Sequence, residues 1–279
     1  MNILACLDAS IYAASVTEYA AWIAGRLGAS VELLHALQRK DAVAARHDLS
    51  GAVGLGAKSG LLDELTRFDE AEARIARERG DALLASAEAT LRDRGIAEVR
   101  LTHRHGGVVE TVAEREGDAD LIVMGKRGAS ADFAHGHLGS KVERVVRASH
   151  RPVFMASREF RPVERALVAY DGGASAKAAL RYLAGSPITE GLDLRIVMVG
   201  SDSAKNRDRL AEAGDLLPSA NRALVDGSVE PVLTAELEAH RSDLLVMGAY
   251  GHSPLRSMLV GSTTSAMLRA AHLPVLLFR

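Results

Sequence analysis
The chain has 279 residues, 48% hydrophobic and 25% charged, with 34 lysines and arginines against 36 aspartates and glutamates. At about 150 residues per domain this length suggests two domains or one large one, and the composition is that of an ordinary globular chain and argues against a disordered or fibrous one. Both halves are nearly charge-balanced, so no broad basic footprint for nucleic acid is expected.

In chain order, the first ten residues, MNILACLDAS, are already strand-like with no basic segment ahead of them. No signal peptide is expected, and the setting is read as reducing and cytoplasmic. Apolar runs predict strands over Ile3–Leu7, Val31–Leu37, Val99–His103, Leu121–Met124 and Val153–Ala156, with helices over Tyr12–Leu27 and Val108–Glu116. The lone cysteine, Cys6, excludes a disulfide framework and reads as a buried, inert thiol. Tyr19 and Trp22 lie at core-compatible helical spacing. The glycine-rich stretch from Ser50 to Gly60 reads as a loop. Leu61–Arg94 reads as a long helix with one solvated face, capped by Asp63 or Thr66 and ended by Gly95. A polar, proline-bearing segment, Arg158 to Glu164, follows. Strands then recur over Ala166–Tyr170, Leu194–Val199, Arg222–Val225, Leu244–Met247 and Val275–Phe278, with helices over Ala174–Ala184, Ala204–Leu216, Val229–Ala239 and Ser262–Ala271. No apolar run reaches the roughly 18 residues of a membrane span, so no membrane partner is expected.

The chain also repeats itself. Asp120–Gly128 matches Asp243–Gly251 at an offset of 123, Arg147–Val153 matches Arg269–Val275 at 122, and Leu4–Asp8 matches Leu167–Asp171 at 163. The order is the same in both halves, which reads as a tandem duplication with about 40 extra residues in the first half. Strands without polar alternation, separated by helices, imply parallel sheets covered on both faces. The expected fold is α/β, two tandem doubly wound domains with five-stranded parallel sheets, over 1–158 and 163–279. The extra loop and long helix fall at about 38–95 in the first.

Two phosphate-loop patterns fail on inspection. Gly51-x4-Gly56 is followed by Ala57 before Lys58, one residue out of register for a Walker loop, and Gly54-x-Gly56-x3-Gly60 is one residue too long for a dinucleotide fingerprint. Neither has the upstream strand that would converge backbone N–H groups on a phosphate. The stronger pattern is Gly248-x2-Gly251-x9-Gly261-Ser262-Thr263, running from a strand end to a helix start. Glycines let the backbone approach a phosphate and adopt positive φ. The helix N-terminus offers unpaired N–H groups and partial positive charge, and hydroxyls there can cap and donate.

With Asp171-Gly172-Gly173 after the first strand and the closing Leu273-Pro274-Val275-Leu276-Leu277 segment, this pattern resembles the nucleotide-binding branch of the universal stress proteins. The likeness covers nearly the whole chain as a tandem type. The resemblance implies a Rossmann-like, adenine nucleotide alpha hydrolase-like fold and an adenine nucleotide, ATP or a relative, as ligand. It implies that Asp171 lies near ribose and phosphates or helps hold magnesium, that Val199 offers backbone groups to the adenine edge, and that Met247 and Gly248 line base and ribose. Gly251, Gly261, Ser262 and Thr263 would hold the phosphates, with His252 and Arg256 adding charge. The first half follows less closely through Asp8, Ala36, Met124, Gly125, Gly128, Gly139 and Ser140. Ten residues, not nine, separate Gly128 from Gly139, no glycine follows Asp8-Ala9-Ser10, and Lys126 and Arg127 bring charge to the loop. The resemblance also implies that the halves pair as a pseudo-dimer through Val153–Ala156 and Val275–Phe278, and it is compatible with a further homodimer.

His103, His105, His135 and His137 could meet as four zinc ligands, or be solvated or phosphate-facing. His150 and His272 read as structural residues at helix C-termini. No nucleophile elbow, kinase set or other catalytic residue is identified. The expected function is nucleotide binding, chiefly in the C-terminal half, with occupancy coupled to conformation or to a protein partner. Two alternatives stand beside it. One is an interaction module that presents the long charged helix without nucleotide; the other is a slow ATPase.

Overall fold
A computed structural model describes residues 1–37, 55–128, 139–249 and 262–279. The first half contributes β1 (Asn2–Leu7), α1 (Ala13–Leu27), β2 (Ser30–Leu37), α2 (Leu55–Asp93), β3 (Val99–His105), α3 (Val108–Arg115), β4 (Leu121–Gly125), α4 (Ser140–Ala148) and β5 (Val153–Ala156). The second contributes β6 (Arg165–Ala169), α5 (Ala174–Ala184), β7 (Asp193–Val199), α6 (Ala204–Leu216), β8 (Asn221–Val225), α7 (Val229–Ala239), β9 (Leu244–Gly248), α8 (Ser262–Ala270) and β10 (Val275–Phe278). The α/β expectation holds: strands and helices alternate throughout.

All ten strands share one sheet in the order β3-β2-β1-β4-β5-β10-β9-β6-β7-β8. Every pairing is parallel except β5 with β10, where Met155 faces Val275 and Val153 faces Leu277 in antiparallel register. Read outward from that seam, the two groups have the same strand order. The central strands are apolar on both faces because helices cover both. One core cluster joins α1, α2, α5 and α6 to one face. The other joins α3, α4, α7 and α8 to the opposite face. Both clusters run across the seam, so the halves share their cores.

The connection from β5 to β6 is packed against the protein. Tyr19 is fully buried, stacks on Phe154 and Phe160, and its hydroxyl accepts the Arg161 N–H at 3.2 Å. Trp22 packs at the edge of the same core, with the Arg26 guanidinium over its ring.

The long helix departs from expectation at its start. It begins at Leu55, so Gly56 to Gly60 are helical and not loop, and Asp63 and Thr66 lie inside the helix and do not cap it. Two interior glycines cost about 1 kcal/mol each, less than is gained by extending a long helix already nucleated. Its end is as read. Gly95 takes φ 85°, its N–H bonds to the Arg92 carbonyl, and Ile96 N–H bonds to Leu91, a Schellman closure that only glycine makes without strain. The described part of the out-of-register phosphate patterns, Gly56 to Gly60, therefore sits in a helix, and Ser50 to Gly54 lie outside the described residues.

Candidate functional site
The direction of winding reverses between β1 and β4, and again between β6 and β9. In an open parallel sheet such switch points leave crevices beyond the strand carboxyl ends, because the connections on either side leave in opposite directions. An aspartate stands at each. Asp8 Oδ1 accepts the Ser10 N–H at 3.2 Å, and Asp171 Oδ1 accepts the Gly173 N–H at 2.7 Å. Each carboxylate thus folds its own loop. Asp171 does not cap α5, whose N-cap is Gly173.

At the first crevice a cleft with a cavity volume of about 120 Å³ opens to solvent. Asp8, Ala36, Met124, Gly125, Gly128 and Gly139 line it, so the structure brings together six of the seven first-half residues expected there. The seventh, Ser140, opens α4, whose N-cap is Gly139. The first turn of that helix presents N–H groups without intrahelical partners. Cys6 and Leu7 from β1, Tyr12 and Val16 at the start of α1, Val108 of α3, and Lys141 and Val142 of α4 also line the cleft. Sequence reading missed these. Lys141 was findable, because it follows directly on the glycine–serine that opens the helix. Apolar walls thus lie opposite a rim carrying Asp8, Arg127 and Lys141.

Gly125 is required here by contact, not by torsion. Neither Gly125 nor Gly128 has positive φ. A Cβ on Gly125 would come within 2.7 Å of Tyr12 Cβ, whereas one on Gly128 would meet only Asp8 Oδ2 at 2.8 Å, the end of a side chain that can turn aside. Gly248 repeats the first case against Ser175 Cβ, at 3.0 Å. The first turns of α1 and α5 can approach the strand ends only because those side chains are missing.

Lys126 does not serve the cleft. It is 7% exposed, and its ammonium donates to the carbonyls of Ala271 and Leu273, at 2.5 and 2.8 Å, in the segment leading to β10. Burial, helped by the nearby Arg127 charge, pushes its pKa down to about 7. The residue between Gly125 and Arg127 therefore ties the rim of the first crevice to the second half.

Cys6 is buried at the cleft floor, and burial, followed by the charges of Asp8 and Glu32, pushes its thiol up to about 12. Only the thiolate is a nucleophile. Iodoacetamide at pH 8 should therefore leave the folded chain unmodified over hours and label it within minutes once urea unfolds it. Mass spectrometry reads the difference, and rapid native labelling would contradict the burial.

At the second crevice, Met247 is buried beneath the end of β9 and Val199 ends β7, paired with Val225. Gly251, His252, Arg256 and Gly261 lie outside the described residues, and Ser262 and Thr263 are described as helix backbone alone. Thr264, which the sequence did not single out, anchors α8 to the strand end: its hydroxyl donates to the Ala249 carbonyl at 3.1 Å. Arg209 of α6 lies over the Asp171 loop, close enough that a Cβ on Gly172 would meet its Cδ at 2.9 Å. Its 38-residue separation from Asp171 hid it from pattern reading.

Two of the described histidines, His35 and His103, have partners within the protein. His35 Nδ1 bonds the Leu7 carbonyl at 2.9 Å, and its ring lies 5.2 Å from that of His103, its neighbour across β2 and β3. His103 Nδ1 bonds Asp81 at 2.7 Å. His105 is exposed, and His135 and His137 lie outside the described residues. Among the described residues no group of three or more His, Cys, Asp or Glu side chains is placed to hold a metal. His150 pairs with Glu116 at 3.2 Å instead of the α4 carbonyls. No described helix is long and apolar enough to cross a membrane.

An open α/β sheet with a switch point in each half, the first walled by a glycine-ended strand and a helix N-terminus, defines a doubly wound, Rossmann-like architecture. The chain belongs to the universal stress protein family. The family's model matches residues 1–157 and 201–279, so Asp171 and Val199 lie outside both matched segments. The chain is 36% identical over 286 residues to Universal stress protein Slr1230 of Synechocystis sp., covering 100% of this chain and 99% of that one. It is 26% identical over 197 residues to Universal stress protein Rv2005c of Mycobacterium tuberculosis, covering 61% of this chain and 65% of that one. The crystal structure of a universal stress protein from Archaeoglobus fulgidus DSM 4304 superposes with a TM-score of 0.70 at 21% identity, over 99% of this chain and 95% of that one. That likeness establishes the fold.

Proposed function
We propose that this universal stress protein binds an adenine nucleotide, ATP or a relative, and that the cleft at the end of β1 and β4 is one seat for it. The observation that carries the reading is the cleft's composition. Leu7, Val108, Met124 and Val142 offer an apolar bed for a base, while Gly128 and the first turn of α4 offer backbone N–H groups to an anionic tail. Arg127 and Lys141 add positive charge at the rim. The second seat is the corresponding crevice between β6 and β9, which carries the full Gly248-x2-Gly251-x9-Gly261-Ser262 spacing. In this reading residues 1–158 and 163–279 are duplicated domains joined back to back by β5 and β10.

Occupancy is coupled to the partner half through Lys126. A ligand that drew the Gly125–Gly128 segment toward itself would strain the bonds from Lys126 to Ala271 and Leu273. It would thereby favour one arrangement of the halves over another, which is the differential affinity that any such coupling requires.

Calorimetric titration of the full chain with ATP tests the proposal. Two binding events are expected. Gly128→Val fills the first cleft without demanding an unusual φ and should abolish one of them; Gly261→Val should abolish the other. Absence of heat and of protection against thermal unfolding at millimolar ATP would remove the nucleotide reading. The interaction-module alternative would then stand.

A further inference from the structure
We propose that the N-terminal part of α2 pairs with the same segment of a second copy of this chain, antiparallel and about a two-fold axis near Ala71. At 1.5 Å per residue α2 is about 58 Å long, far longer than the sheet it packs against. Its C-terminal part is seated by Gly80, Leu84, Ala87 and Leu91, a stripe at helical spacing that is buried against β2, β3 and α1. At 100° per residue, Phe68, Ala71 and Ile75 form a second stripe turned nearly opposite to the first. The chain's own sheet cannot cover it. Phe68 is 62% exposed and Ile75 is 44% exposed, the two largest apolar side chains on the described outer surface of this helix.

The pattern of residues identifies the occupant. Phe68 and Ile75 are equidistant from the midpoint between Ala71 and Glu72. A two-fold there sets Phe68 of one copy on Ile75 of the other, twice, with the small Ala71 at the crossing where the two backbones come closest. Glu64 and Arg79 are equidistant from the same midpoint, so each outer end of the contact brings a carboxylate onto a guanidinium. Sliding the register by one residue breaks this match: it sets Glu64 opposite Glu78, Glu70 opposite Glu72 and Phe68 opposite Arg74 in one direction, and Glu72 opposite Glu72 in the other. Like charges or an apolar–cation mismatch oppose those alternatives. A stripe complementary to itself in both shape and charge fits a second copy of itself. The contact is distinct from the β5–β10 seam, which is internal to one chain.

Sedimentation velocity of the full chain across a concentration series tests it. A reversible dimer is expected. Phe68→Asp should weaken it by at least about tenfold while leaving the thermal unfolding midpoint unchanged, since the side chain is exposed in the single chain. Glu64→Arg and Arg79→Glu should each weaken it about fivefold, and the double variant should return to within about twofold of the parent. Ala71→Cys should give a disulfide-linked dimer under mild oxidant, and Ala89→Cys should not. A monomer at every concentration would overturn the proposal. So would a dimer indifferent to Phe68→Asp and to the charge exchange, because the contact would then lie elsewhere.

Discussion

Replacing Arg115 with methionine is expected to destabilise the chain by about 3–5 kcal/mol, the usual result of stranding one member of a buried ion pair. Glu32 is 1% exposed on β2, beneath α3. Arg115 grips it with two hydrogen bonds, at 3.0 and 2.8 Å, and the Thr102 hydroxyl adds a third at 2.8 Å. Burial alone would raise the Glu32 pKa. The bonds from Arg115 and Thr102 and the charges of Arg115 and Arg100 outweigh it, so the carboxyl sits below its ordinary value. The sign follows from that depression. The contribution is full above the unfolded pKa and is lost as pH falls through the lower folded value. Without Arg115 the buried carboxylate keeps only the Thr102 hydroxyl and the more distant, exposed Arg100 at 4.0 Å. Urea unfolding at pH 7 should therefore show the full deficit, and acidification toward pH 5 should shrink it as Glu32 takes up a proton. A deficit under 1 kcal/mol would mean that water reaches Glu32.

The second large effect is expected at Lys126. Its folded pKa of about 7 lies below the ordinary lysine value of 10.5. Between those values the unfolded chain holds a proton that the folded chain has released, so stability rises with pH across that window and falls as pH drops toward 7. From pH 7 to pH 9 this amounts to about 2 kcal/mol. Lys126→Met removes the titrating group and leaves the Ala271 and Leu273 carbonyls without their donor. The cost of the substitution should thus be greatest near pH 9 and shrink by about 2 kcal/mol by pH 7, as followed by urea unfolding at a series of pH values. A cost that does not change with pH would show that Lys126 remains charged in the fold. Because the donor is on one half and the acceptors on the other, the same variant should also uncouple nucleotide binding from any change in how the halves are held.

The strands were legible because burial on both faces leaves runs such as Leu121–Met124 without polar interruption. Duplication made them legible twice. The first crevice was legible through Asp8, Gly125, Gly128 and Gly139, since a strand end and a helix start in fixed order must meet at a switch point. What pattern could not give was direction. Lys126 sits between glycines of the loop and so read as a phosphate-side charge, whereas its partners are carbonyls 145 and 147 residues away. Glu32 was hidden inside an apolar strand for the same reason: Arg115, which allows it to be buried, lies on another element. The early start of α2 was obscured by Gly56 and Gly60, whose local preference was overridden by the helix that follows. Tyr12 and Arg209 reach their crevices through packing, which no spacing rule encodes.

The central claim is that the cleft between β1 and β4 seats the anionic tail of an adenine nucleotide on backbone amides. A crystal structure of the full chain grown with a non-hydrolysable ATP analogue measures this directly. The account predicts phosphate oxygens within hydrogen-bonding reach of the amides of Gly128 and the first turn of α4, with the base against Met124 and Val142. A cleft empty at saturating analogue, or one entered with the phosphates turned away from α4 toward solvent, would contradict it.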